Sequence, residues 1–170
     1  NGETIVGVVC KDGVVLGAEK QMISKMLVEG TNRRIYNISD NVGLVIAGNI
    51  PDGKNIVSRA REEAQQYKQN YAIEIPGTLL TDRVAQYVHS HTLYSEYRPF
   101  GTTAIIATYD ELDGYGLSMV EPSGNSLGYF GCSAGKNRQL CKSHLDKTDF
   151  KSLTCEEALF NVAKMLHLCH

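Results

Sequence analysis

The run Thr4-Ile5-Val6-Gly7-Val8-Val9-Cys10, Lys11-Asp12-Gly13, Val14-Val15-Leu16-Gly17-Ala18-Glu19 decides the fold. Both arms are rich in β-branched residues and nearly all apolar, whereas a strand with one wet face alternates apolar with polar residues. The hairpin therefore lies between two covering layers. Asp12-Gly13 at the reversal predicts a tight turn with positive φ angles. A doubly buried strand that starts this close to a chain terminus can hold a terminal amine in the middle of a sandwich, and this bears directly on function.

Outward from the hairpin, the chain groups its elements. Residues 21–30 are mixed in pattern, and Gly30-Thr31-Asn32 signals a turn. Arg34-Ile35-Tyr36-Asn37-Ile38 alternates as a strand, and Val42-Gly43-Leu44-Val45-Ile46-Ala47-Gly48 reads as a second fully buried one. Pro51-Asp52 opens a helix whose inner stripe is Ile56, Val57, Ala60, Ala64, Tyr67 and Tyr71, with Glu63 among the residues of the wet side. Ile75-Pro76-Gly77 breaks it. A second helix carries Leu80, Val84, Tyr87, Val88, His91 and Tyr94 on one face and is expected to run to Arg98-Pro99.

A second set of strands follows: residues 102–109, 115–120 and 126–132, with turns at Asp113-Gly114 and residues 122–125. Residues 136–147 read as a polar helix. Thr154-Cys155-Glu156-Glu157 has capping-box spacing, opening a last helix with Leu159, Val162, Ala163, Leu166 and Cys169 inside. Strands and helices in grouped runs favour layered antiparallel sheets over alternating βαβ units. The expectation is an α+β fold, a four-layer αββα sandwich of two antiparallel sheets flanked by helix pairs.

Composition narrows the function. The 170 residues are 42% hydrophobic and 21% charged, with a formal net charge of −2, enough for one ordinary core. No block of like charge favours nucleic acid or an anionic membrane, and Arg33-Arg34 and Arg59/Arg61 read as solvated faces. No apolar run approaches the roughly 18 residues of a membrane span, so the expected location is the cytoplasm and nucleus. The cysteines Cys10, Cys132, Cys141, Cys155 and Cys169 are odd in number and contain no Cys-x-x-Cys pair, which reads as reduced filler.

Longer stretches carry a family resemblance. Cys10-Lys11-Asp12-Gly13-Val14-Val15-Leu16-Gly17, Ser24-Lys25-Met26-Leu27-Val28-Glu29-Gly30, Arg61-Glu62-Glu63-Ala64, and His91-Thr92-Leu93-Tyr94-Ser95-Glu96-Tyr97-Arg98-Pro99-Phe100-Gly101 are four of them. Glu121-Pro122-Ser123-Gly124, Gly128-Tyr129-Phe130-Gly131-Cys132 and Gly135-Lys136-Asn137-Arg138-Gln139 extend them over nearly the whole chain. The sequence resembles the α-type subunits of the eukaryotic 20S proteasome core, most of all the subtype called alpha-3, or alpha-7 by ring position. That resemblance implies the N-terminal-nucleophile hydrolase fold. It also implies a place in the outer seven-membered ring, docking on the β ring through the first helix pair. Implied partners are neighbouring α subunits, β-ring subunits, and the C-terminal tails of regulatory-particle ATPases or other activators. No cofactor is implied. The family's α subunits begin with a gate segment ahead of the first strand; residues 1–170 are therefore expected to form a single α-type domain without it.

Catalysis in this fold uses an N-terminal Thr, Ser or Cys whose own α-amine, with pKa about 7.7 to 8.0, acts as base. Counted back from the hairpin turn, the nucleophile position falls at Glu3, the carboxylate position at Glu19, and the lysine position near Arg34. Glu3 cannot act as that nucleophile, the adjacent Thr4 has its amine locked in a peptide bond, and a guanidinium does not shuttle protons near neutral pH. The expectation is no catalytic residue in this chain, the alternative being an active threonine peptidase subunit.

Arg34 and Gly48 have a second implied role in the α-ring pocket for activator tails. A guanidinium recognises a terminal carboxylate bidentately, and a missing Cβ lets a peptide backbone approach. Open beside these are a solvated strand-start charge for Arg34 and a strand-ending turn glycine for Gly48.

A nucleotide hydrolase is the alternative from another class, because residues 48–55 nearly fit Gly-x4-Gly-Lys-[Ser/Thr]. Asn55 replaces the magnesium-binding hydroxyl, and Pro51 removes one backbone N–H from the cradle. No metal site is expected: His89 and His91 point to different helix faces, and only His167, Cys169 and His170 crowd together.

Overall fold

The computed structural model describes residues 3–20 and 24–169. In chain order the elements are β1 (Ile5–Val9), β2 (Val14–Ala18), β3 (Ile35–Ser39), β4 (Val42–Gly48), α1 (Ile50–Tyr71) and α2 (Gly77–Leu93). There follow β5 (Thr102–Asp110), β6 (Gly114–Val120), β7 (Ser126–Gly128), β8 (Gly131–Ala134), α3 (Arg138–Lys147), a 3-10 turn (Phe150–Ser152) and α4 (Cys155–Leu168). The strands form two antiparallel sheets, ordered β2-β1-β8 and β3-β4-β5-β6-β7.

The alternate faces of the strands explain the layers. On β1, Val6 and Val8 join Val162 and Met165 of α4 in one core cluster, while Ile5 joins Val45, Ile105 and Leu117 in another, between the sheets. On β4 and β5, Leu44, Ile46, Ala104 and Ile106 face α1 and α2. Three apolar layers thus separate four layers of structure, the sandwich expected from the grouped elements. Gly7 sits where the sheets come closest: a Cβ there would lie 2.8 Å from Leu117 Cδ1 and 3.0 Å from Ile105 Cγ2.

The hairpin differs from expectation in its turn. Gly13 is not among the positive-φ glycines, and Cys10 N–H donates to the Gly13 carbonyl at 2.7 Å across a four-residue loop. Glycine is required there by contact, because a Cβ would lie 2.7 Å from Cys155 Sγ. The same turn caps α4: Asp12 Oδ1 accepts from Cys155 N–H at 2.7 Å, which with other local contacts holds the Asp12 carboxyl below its ordinary pKa. Of the two hairpin arms, which the sequence reads as both covered on two sides, β1 alone is doubly buried; β2 is an edge strand with alternating burial.

Other departures have physical causes. The apolar run 126–132 is split: β7 pairs with β6, the chain crosses at Tyr129-Phe130, and β8 pairs with β1 in the other sheet. In α1, Glu63 is buried because Arg59 and Arg83 clasp its two oxygens at 2.8 and 3.0 Å, whereas Tyr71 is exposed. Helix α2 stops at Leu93, leaving Tyr94 extended and exposed well before Pro99. In α4, Thr154 Oγ1 accepts from Glu157 N–H as the capping spacing predicts, but Ala158 and Met165 face inward while Leu159 and Ala163 face out.

Candidate functional site

One end of the sandwich collects the residues that the sequence singles out. β1 starts there, β2, β4 and β8 end there, and β5 starts there, with Ile5 opposite Ala18 and Ala134, and Gly48 opposite Thr102. Arg34 precedes β3, and its carbonyl accepts from Ile46 N–H at 3.0 Å, which fixes it beside the end of β4. Glu3, Thr4, Glu19, Arg34 and Gly48 thus converge, although up to 45 residues separate them in sequence.

The Glu3 carboxylate forms an ion pair with Arg34 Nε, both side chains being buried. Arg34 Nη1 also donates to the Gly48 carbonyl at 3.4 Å. Burial pulls the Arg34 guanidinium below its ordinary pKa, yet a guanidinium starts so far above neutrality that it keeps its charge. The reading of Arg34 as a solvated strand-start charge is therefore corrected: it is 8% exposed and holds a carboxylate.

Thr4 is fully buried and bonded on every polar group. Its N–H donates to Glu19 Oε2 at 3.3 Å, its carbonyl accepts from Glu19 N–H at 2.8 Å, and its Oγ1 accepts from Asn137 N–H at 3.2 Å. The threonine hydroxyl is an acceptor that ties the start of β1 to the turn before α3. Gly135, at φ +102°, completes the closure: a Cβ there would overlap the Glu3 carbonyl. No local pattern marks Gly135 or Asn137 as members of this cluster, since the β1–β8 pairing is what brings them in.

Gly48 has φ +109°, and a Cβ would overlap the Gly101 carbonyl oxygen, so the chain's own backbone fills the space beside it. Asn49 N–H donates to that oxygen at 2.9 Å, and Thr102 Oγ1 donates to the Asn49 carbonyl at 2.7 Å. Asn49 Oδ1 caps α1 by accepting from Asp52 N–H at 3.2 Å. Asp52 in turn takes both Arg98 amino groups at 2.8 Å and Gly101 N–H at 2.9 Å, and the Arg98 bond above all holds its carboxyl below its ordinary pKa.

Residues 50–55 are the first turns of α1 and not an open loop, so the phosphate cradle of the nucleotide-hydrolase alternative does not form. His89 Nδ1 lies 3.1 Å from the Ser123 carbonyl, while His91 packs against Tyr87, Tyr97 and Phe100. Among the described residues no group of three or more His, Cys, Asp or Glu is placed to hold a metal ion, and His170 lies outside them.

Two antiparallel sheets packed face to face between helix pairs, with strand β1 leading into a polar cluster at their shared end, define the class. The chain belongs to the proteasome subunit family: the family profile described as "Proteasome subunit" matches residues 1–170. It is 45% identical over 170 residues to "Proteasome subunit alpha type-3" of Dictyostelium discoideum and 48% identical to the rice protein (Oryza sativa subsp. japonica) of the same name. Each match covers the whole chain and 68% of the relative. "Probable proteasome subunit alpha type-7" of Saccharomyces cerevisiae is 43% identical over 173 residues, covering all of this chain and 60% of the relative.

Proposed function

We propose that the chain is a scaffold subunit of the proteasome α ring that performs no peptide hydrolysis itself. The observation that carries this reading is the Glu3–Arg34 pair: a carboxyl side chain and a guanidinium stand where the family's catalytic members need a nucleophile and a proton-shuttling lysine. Thr4, the hydroxyl next to that position, has an acylated amine and a buried oxygen already engaged by Asn137.

As such a subunit it packs against neighbouring α subunits and the β ring, helps control substrate access, and works in the cytoplasm and nucleus in ubiquitin-dependent degradation. The exposed tyrosines Tyr71, Tyr94 and Tyr97 near the ends of α1 and α2 supply the amphipathic side chains that protein interfaces favour. Arg34 and Gly48 contribute to the pocket for regulatory-particle ATPase or other activator tails. The support is the carboxylate chemistry of Arg34, which pairs with Glu3 and would have to exchange that partner for a tail's terminal carboxylate; the Cβ space of Gly48 is taken by the Gly101 carbonyl, so Gly48 serves by shaping the strand end beside Arg34.

Peptidase assays on the full chain, with fluorogenic peptides of acidic, basic and apolar character, test the central reading. No turnover is expected, while native electrophoresis and electron microscopy with partner subunits give ring-sized particles. Hydrolysis that disappears in Thr4→Ala would overturn it.

A further inference from the structure

Four of the five cysteines lie in the layer between the three-stranded sheet and the helices α3 and α4. They are arranged at the two ends of α4. Cys155, its first residue, has its thiol within hydrogen-bonding reach of Cys10 at the hairpin turn. Cys169, its C-cap, faces Cys141 in the middle of α3, and the Cys141 thiol donates to Cys169 Sγ at 3.2 Å.

That sulfur separation is already van der Waals contact, so about 1 Å of approach would complete a covalent bond. Both residues are buried, Cys141 completely, and no water needs to be expelled from between them. The geometry also restrains the pair: Cys169 N–H donates to the Met165 carbonyl at 3.0 Å, and Asn137 Nδ2 donates to the Cys169 carbonyl. Asn137 is the residue before α3 and the partner of Thr4 Oγ1, so this contact joins the cysteine pair to the polar cluster at the start of β1.

We propose that Cys141 and Cys169 form a redox-responsive dithiol that closes to a disulfide between α3 and the end of α4. The oxidant is a low-molecular-weight disulfide such as oxidised glutathione. The Cys169 thiolate attacks one of its sulfurs and releases one glutathione thiolate. The Cys141 thiolate then attacks Cys169 Sγ of the mixed disulfide and releases the second. Two protein thiols become one disulfide, one glutathione disulfide becomes two thiols, and the two protein protons end on the released glutathiones. Cys169 is buried and burial pushes the Cys141 thiol up to about 12, so both the attack on the oxidant and the resolving step wait on local opening of the last turn of α4, and the reaction is slow. Closure ties the C-terminal end of α4 to α3 and holds the Asn137 contact in place.

Equilibrating the full chain, purified in its native assembly, in glutathione buffers from fully reduced to fully oxidised tests this. After quenching, alkylation in denaturant and non-reducing peptide mass spectrometry identify the bonds. The expected product is a Cys141–Cys169 cross-linked peptide pair, lighter by two hydrogens and absent after reduction, with Tm raised by several degrees in the oxidised protein. Cys141→Ser is expected to lose the cross-link and the Tm rise, and Cys10→Ser to keep both. Full alkylation of Cys141 and Cys169 at oxidised equilibrium, a glutathione adduct on Cys169 without closure, or a bond confined to Cys10 and Cys155 would each overturn the proposal. Should Cys141→Ser fail to fold, Cys169→Ser, at the helix end, serves as the second variant.

Discussion

The Glu3 carboxylate lies against the Arg34 guanidinium at the mouth between the two sheets, both buried, one just before β1 and the other just before β3. Neither sheet contains both residues, so the pair links the sheets at the end where strand β1 enters.

Removing one member of a buried pair leaves the other charge uncompensated, which is costlier than never having had the pair. Glu3→Ala is expected to destabilise the chain by about 3 kcal/mol, read as a lower denaturant midpoint at unchanged slope. The same logic makes Glu3→Gln a probe of the pocket. It frees Arg34 for an external carboxylate, so a peptide with a free C-terminus should bind more tightly than to the parent chain, and its C-terminal amide should not. Equal binding of the two peptides would refute the assignment of Arg34 to tail recognition.

Gly48 and Gly30 both have positive φ, at +109° and +83°, but only Gly48 is crowded; a Cβ at Gly30 meets nothing within 4 Å. Alanine at Gly30 is expected to cost about 1 kcal/mol from backbone strain alone. At Gly48 strain and the overlap with Gly101 add, and the loss should exceed about 2 kcal/mol in equilibrium unfolding. Equal costs would show that the Gly101 carbonyl moves freely.

At the hairpin turn the requirement for glycine is a neighbour and not a dihedral angle. Gly13→Ala should cost about 1–2 kcal/mol by overpacking against Cys155 Sγ. Cys155→Ala in the same chain should recover most of it. A double-mutant cycle with no coupling would return the explanation to backbone conformation.

Asp52 sets an acid limit. Its carboxyl is held low by Arg98, so between the unfolded value of about 3.9 and the lower folded value the unfolded chain binds more protons and stability falls with falling pH. Its contribution is complete above that window and gone below it. Asp52→Asn should lower Tm at pH 7 and narrow the difference between pH 7 and pH 3. An unchanged difference would show that the Asp52 carboxyl does not set the acid limit.

The sequence-level reading succeeded where periodicity alone decides the answer. The apolar first arm of the hairpin, the buried strand β4, the strand β5, and the capped start of α4 all follow from side-chain pattern, and so does the four-layer arrangement. Convergence of Glu3, Glu19 and Arg34 was legible only through the family resemblance, because each sits just outside a strand and obeys no period. Failures arose where a distant partner overrides local pattern. Glu63 reads as a wet-face acid until Arg83, twenty residues on, is placed beside it. Ala158 and Met165 turn inward with Val162 because α4 packs on a cluster made with Val6 and Val8 of β1, Cys141 of α3 and Phe150, partners that no local pattern reveals. No pattern within 126–132 reveals that its two halves pair with different neighbours.

The crossing at Tyr129-Phe130 gives that last point mechanical weight. Val9 N–H donates to the Phe130 carbonyl and Tyr129 N–H to the Leu117 carbonyl, each at 2.8 Å, so two adjacent residues are fastened to opposite sheets. A tether with no slack of this kind lets neither half slide past the other, and a load applied to one side is carried directly by its counterpart.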